Sequence, residues 1–295
     1  MISKMVSGWI CLLMLVLNFA IFAQDEEKPV YGWKNAAIGN LSFTQTSFDN
    51  WQQGGENSWS WVFNFNARFL YSQPKFDWRT INKLEYGKTK SGDDESKKAG
   101  DEIFLETSLI YKQGWKVNPY VAASGRTQFA KGYDFSTEPE KTLISQFMNP
   151  GYFMESVGLE YHKEERFRTR LGVALKQTVV TEEKFAPKYT DKSDSEKLEK
   201  VRAENGLESV SYFSQQFTEA TVYATSLELF TNLKRFDEID VRWDHLLTTE
   251  ITKYFAFAFT FQLFYDKDLS PKRQLKNVLG IAITYTFFGK KEDFE

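Results

Sequence analysis

The chain has 295 residues, 17% of them aromatic, and its net charge of −3 comes from 37 basic and 40 acidic side chains. That length carries one large β domain or two small ones, and a mean hydropathy below zero excludes a bundle of apolar helices. The charge balance lacks the basic footprint of nucleic-acid binding, so nucleic acid is not an expected partner.

Residues 1–23 read as a signal peptide. Lys4 supplies the positive start, residues 9–20 the apolar core, and Ala23 a small residue before Gln24. A retained membrane anchor is the competing reading; the run is short for a spanning helix and an acidic segment follows it. The single cysteine, Cys11, lies inside this core, so the mature chain is expected to hold neither a disulfide nor a thiolate metal site.

Residues 24–35 are polar and contain Pro29, and read as a short periplasmic lead. Residues 36–48 form the first predicted strand, with Leu41 and Phe43 on one face and Asn40, Ser42, Thr44 and Thr46 on the other. Asn50, Trp51, Gly54, Gly55, Glu56 and Asn57 follow as a turn motif, whose glycines and asparagines supply positive φ. Residues 58–73 then alternate over an unusual length. Trp59, Trp61, Phe63, Phe65, Ala67, Phe69 and Tyr71 share one face, and the other is mostly Ser, Asn and Arg68. A tilted strand crossing a bilayer needs roughly 9 to 11 residues with aromatics at both ends of its lipid face.

The same alternation returns at 76–89, 102–112, 118–130, 152–163 and 167–181, and again at 206–217, 221–232, 238–251, 254–265 and 274–288. Glu155 interrupts the apolar row of its strand, which suggests a bulge. Short links at Pro74, Gly114, Glu164, Thr218 and Thr252 alternate with longer ones at 90–100, 131–150 and 182–205. In the longest, Ser193 and Glu196 have capping-box spacing for a short helix closed by Gly206. The fold expected is an all-β, transmembrane, antiparallel up-and-down β-barrel of about 12 strands over residues 36–288. Both termini would be periplasmic, with a short C-terminal tail at 289–295. Its address would be the outer membrane of a bacterial cell, and its partners the lipid and lipopolysaccharide there. The aromatic final strand would be read by the outer-membrane assembly machinery. Other envelope partners are not specified by the sequence.

The chemistry-bearing candidates lie on the wet face. They are Arg68; Asp77, Arg79, Lys83 and Glu85; Glu106; Arg126; Glu160; Arg168, Arg170 and Lys176; Glu228; and Asp240, Arg242 and Asp244. Opposite charges in a narrow interior pair with one another. Two readings stay open: a salt-bridge network that closes the lumen, and a small polar pore whose selectivity these residues set. A lipid-modifying enzyme would use His162 or His245 with a serine, yet Asp244 and His245 point to opposite faces and no nucleophile elbow occurs. A soluble secreted β-sandwich or lipid-carrying barrel is a third alternative. Asp266 and Asp268, with Asp93, Asp94 and Glu95, lack EF-hand spacing and read as solvated loop charge. No catalytic residue, metal or cofactor is assigned.

Through the segment Asn50-Trp51-Gln52-Gln53-Gly54-Gly55-Glu56-Asn57-Ser58 the chain resembles a Bacteroidota family of uncharacterised outer-membrane β-barrel proteins, a domain of unknown function. Leu227-Glu228-Leu229-Phe230, Asp240-Val241-Arg242-Trp243-Asp244 and the stretch from Tyr265 to Lys276 add to the resemblance. It implies an outer-membrane barrel and carries no activity or catalytic residue with it.

Overall fold

The computed structural model describes residues 31–49, 52, 55–135, 141–163, 166–190 and 198–289. The signal peptide, residues 24–30 of the lead, Asn50, Trp51, Gly54, the Glu164-Glu165 turn, Ser193, Glu196 and the tail beyond Gly289 lie outside the described residues.

Alternating sequences become strands because each face finds the environment its side chains need. The wall begins with β1 (Gly32–Thr46), β2 (Ser58–Ser72), β3 (Phe76–Ser91), β4 (Lys97–Tyr111) and β5 (Val117–Thr127). A small hairpin, β6 (Gly132–Asp134) with β7 (Thr142–Ser145), interrupts it. The wall resumes with β8 (Gly151–Lys163), β9 (Phe167–Val179), β10 (Val201–Thr218), β11 (Thr221–Asn232), β12 (Arg235–Glu250), β13 (Phe255–Tyr265) and β14 (Gln274–Phe288). Each wall strand pairs antiparallel with the next one in the wall, and β1 pairs with β14 through Leu41↔Ile283 and its neighbours. The result is a closed, all-β antiparallel barrel of 12 strands. Closure gives both edge strands a partner, which leaves no open ladder along the wall.

Polarity is inverted relative to a soluble fold. The aromatic row of β2 faces outward, and Phe43, Leu171 and Ile281 are 53%, 62% and 55% exposed on the outside. Arg79, Glu160, Arg170 and Glu208 are buried inside. A lipid-carrying soluble barrel would place the apolar face inward; this wall places it outward. The tight turns gather at the end where β1 starts and β14 finishes. One closes through Gln73 N–H donating to Phe76 O, and another uses Gly114 at φ +75°.

Several strands run further than the sequence indicated. The first starts at Gly32, inside the expected lead, and β10 starts at Val201 rather than Gly206. Long β3 and β4 reduce the expected 90–100 loop to residues 92–96. Backbone pairing along charged, solvated segments explains this: Lys, Glu and Asn lack apolar alternation but fit a ladder whose neighbour is already in place. The helix expected from Ser193 to Gly206 is overturned where it can be followed, because Val201 to Gly206 pair with β9. Instead a 3-10 turn Glu183–Phe185 leads into α1 (Ala186–Tyr189), which carries Pro187 in its first turn. The bulge expected at Glu155 is also absent, since β8 pairs with β5 and β9 without a register shift. Glu155 keeps its outward position and accepts from Gln177 Nε2 of β9 at 3.0 Å.

Candidate functional site

The lumen is lined by the wet faces of 12 strands, and its charges sort into three layers. Nearest the tight turns, Lys112 Nζ lies 2.6 Å from Asp77 Oδ1 and donates to Ser72 Oγ. Just above, Arg79 Nη1 donates to Glu160 Oε1 at 3.2 Å, with Glu160 only 2% exposed. Arg170 links three strands: its Nε donates to Glu208 Oε1 at 2.8 Å and its Nη2 to Glu106 Oε2 at 2.9 Å. Ser156 Oγ and Tyr120 Oη also donate to Glu208. Tyr120 fits because β8 and β9 carry the register pair Gly158 and Gly172. A Cβ on Gly172 would stand 2.5 Å from the tyrosine hydroxyl oxygen.

The middle layer crosses the lumen. Arg126 of β5 reaches Glu102 of β4 at 2.8 Å and Glu228 of β11 at 3.1 Å. Arg242 of β12 returns to Glu102 at 2.9 Å and to Asp244 at 3.2 Å. Two guanidinium groups and three carboxylates therefore tie the β4–β5 wall to the β11–β12 wall. On the side of β1, Lys276 Nζ of β14 meets Glu85 of β3 at 2.5 Å. Lys83 and Arg126 both lie against the Phe104 ring. In an interior of low dielectric such a network holds together only when every charge has a partner.

The third layer lies at the end with the longer connections. Lys176 Nζ donates to Asp240 Oδ2 at 2.6 Å and to Asp266 Oδ2 at 3.4 Å. Asp268 in the same β13–β14 turn accepts from Arg202 and Arg235. Burial opposes its ionisation, but the hydrogen bond and charge of Arg202, then those of Arg235, hold its carboxyl below the usual range. Val180, just beyond the end of β9, packs with Phe185, Ala186 and Tyr189, against Leu143 and Leu269. Tyr189 donates to Ile144 O at 2.7 Å, and burial pushes its phenol up to about 12.

Of the sequence candidates, Arg79 meets Glu160, Glu106 meets Arg170, Arg126 meets Glu228, Lys176 meets Asp240 and Arg242 meets Asp244. Arg168 instead lies over the Tyr212 ring at 4.7 Å. Sequence reasoning missed Glu102, Lys112, Glu208 and Lys276 as members of the network. The inward parity of each strand was the signal available for them. Asp266 and Asp268 correct the reading of solvated loop charge: Asp266 is 5% exposed and folds back to Lys176. Asp94 pairs with Lys97, and Glu95 with Lys141. Among the described residues no three His, Cys, Asp or Glu side chains converge as a metal site.

The described part of the turn motif fastens two connections together. Asn57 Oδ1 accepts from Phe48 N–H, and Asn57 O accepts from Gly92 N–H at 2.8 Å. Gly55 sits at φ +131°, and a Cβ there would stand 2.7 Å from the Phe48 ring. His245 stands on the outer wall. Its Nδ1 is 2.7 Å from Tyr223 Oη, and Trp243 and Phe261 pack against its ring.

The family model described as "Protein of unknown function (DUF3078)" matches residues 43–133, from the upper half of β1 to β6. That stretch is thus similar to an uncharacterised family. No curated protein matches the chain. Among solved structures, an outer membrane channel from Pseudomonas putida F1 is similar at 11% identity, covering 90% of this chain and 98% of that one, with a TM-score of 0.37. The translocator domain of the autotransporter NalP from Neisseria meningitidis is 10% identical, covering 96% and 95%, with a TM-score of 0.38. The CymD monoaromatic hydrocarbon channel is 7% identical, covering 87% and 88%, with a TM-score of 0.34.

Proposed function

We propose that this chain is an integral protein of the bacterial outer membrane, exported by residues 1–23, with both termini on the periplasmic side. It serves as a structural or accessory barrel of the envelope, with its lumen held shut by ion pairs and no catalytic role. The reading is carried by the Arg126 and Arg242 bridge from β4 and β5 to β11 and β12. Apolar exposure around the outer wall supports the lipid environment. Lys88 and Lys90, register partners of Trp61 and Trp59, suit the phosphates of lipopolysaccharide beside an aromatic girdle. The closing Tyr285-Thr286-Phe287-Phe288 suits capture by the assembly machinery. The resemblance of the turn motif supports Bacteroidota as the source of this membrane.

A narrow polar channel is the second reading, favoured by charges of both signs at every level of the lumen. Planar-bilayer recording of the purified protein separates the two. The wild type is expected to conduct little, and Arg126→Ala with Glu228→Ala to raise the conductance. Steady conductance of the wild type, unchanged in that variant, would overturn the closed reading.

A further inference from the structure

We propose that the lumen holds a site for an oxyanion, a carboxylate or phosphate group, between Arg79, Ser108 and Arg168. Arg79 and Ser108 are register partners on β3 and β4 and face the lumen together. They are 8% and 2% exposed. Arg79 Nε and Ser108 Oγ are both buried and have no hydrogen-bond partner among the described residues. Native interiors rarely leave such donors unmade, so two side by side mark the place of a missing acceptor.

Arg168 of β9 gives that acceptor a charge. Its guanidinium lies over the Tyr212 ring, within electrostatic reach of Arg79, Arg68 and Glu106. The carboxylates of this layer are already engaged, Glu160 by Arg79, and Glu106 and Glu208 by Arg170. Arg168 and Arg79 carry like charges and repel one another. A water molecule would satisfy Arg79 Nε and Ser108 Oγ but leave that repulsion in place. An oxyanion removes both, and a guanidinium fork matches carboxylate and phosphate oxygens.

A free carboxylate or phosphate entering the lumen supplies this chemistry. The inference needs only the closed barrel and its inward residues, so it stands or falls separately from conduction.

The test is thermal unfolding of the full chain in detergent, titrated with inorganic phosphate against chloride at matched ionic strength. The variants are R168Q and S108A; S108A is the smaller change and keeps the test valid should R168Q not fold. Phosphate is expected to raise the wild-type midpoint. R168Q should abolish the rise, and S108A should weaken the apparent affinity about fivefold, the loss of one hydrogen bond. No phosphate effect on the wild type, or equal shifts in wild type, R168Q and S108A, would overturn the proposal.

Discussion

Glu160 illustrates what a lumen-facing charge demands of its neighbours. It is almost fully buried and is held by Arg79 from a strand 81 residues earlier in the chain. Removing one partner of such a pair leaves the other desolvated and alone, at a cost of about 3–5 kcal/mol. Glu160→Ala is therefore expected to lower barrel stability by about that amount in urea unfolding. Arg79→Met with Glu160→Leu should recover most of the loss. A single variant with wild-type stability would show that the pair adds nothing. Gly172 makes the same point through volume. Its missing Cβ admits the Tyr120 hydroxyl, and Val157 O stands equally close to where that Cβ would be. Gly172→Ala should cost about 1–3 kcal/mol through overpacking, read as a lower unfolding midpoint.

At the level of elements, the connections between strands are structured by what they cover. α1 is too short to hold itself together in water, and its turn persists because Phe185, Ala186 and Tyr189 close over Val180. Tyr189→Phe keeps that apolar contact and loses the bond to Ile144 O, a cost of about 1 kcal/mol. Hydrogen exchange should show faster opening of α1 and β7 in that variant, with the wall unchanged. The β13–β14 turn is fastened by charge. Asp268 has a depressed pKa in the folded state, so its contribution is complete above the ordinary aspartate range and is lost as pH falls through the folded value. Exchange protection of 266–270 is expected to drop below about pH 4 and to hold at neutral pH. Asp268→Asn should give weaker protection with that pH step removed.

Over the whole molecule, the distribution of polarity decides the environment. The outer wall exposes large apolar side chains, and most inward charges pair as ions or hydrogen bonds. A charge placed on the outer wall therefore has no partner and no water when that wall meets hydrocarbon. Ile281→Arg, on β14 midway along its length, should cost about 2–4 kcal/mol in a bilayer. An unfolding free energy unchanged in lipid vesicles would place Ile281 against water. Closure makes the same wall resistant as a unit, so unboiled protein should migrate differently from boiled protein on a detergent gel. Identical migration would favour a soluble carrier.

The alternation along residues 58–73, 221–232 and 274–288 determined strand and facing, because a period of two fixes each side chain's face before any partner is known. The bounds of β11 and β14 follow the pattern to the residue, since apolar rows mark where the greasy wall starts and stops. The strands at Gly32, Lys97 and Val201 extend beyond it, because there a paired backbone replaces apolar alternation as the cause. Inward parity also marked most of the lumen charges. Which of them meet was decided only by closure of the barrel: Arg242 reaches Glu102 across 140 residues, and Asp266 reaches Lys176 across 90. Pairing across a lumen depends on strand stagger and on which connections fold inward, and neither is written in any local window of the chain.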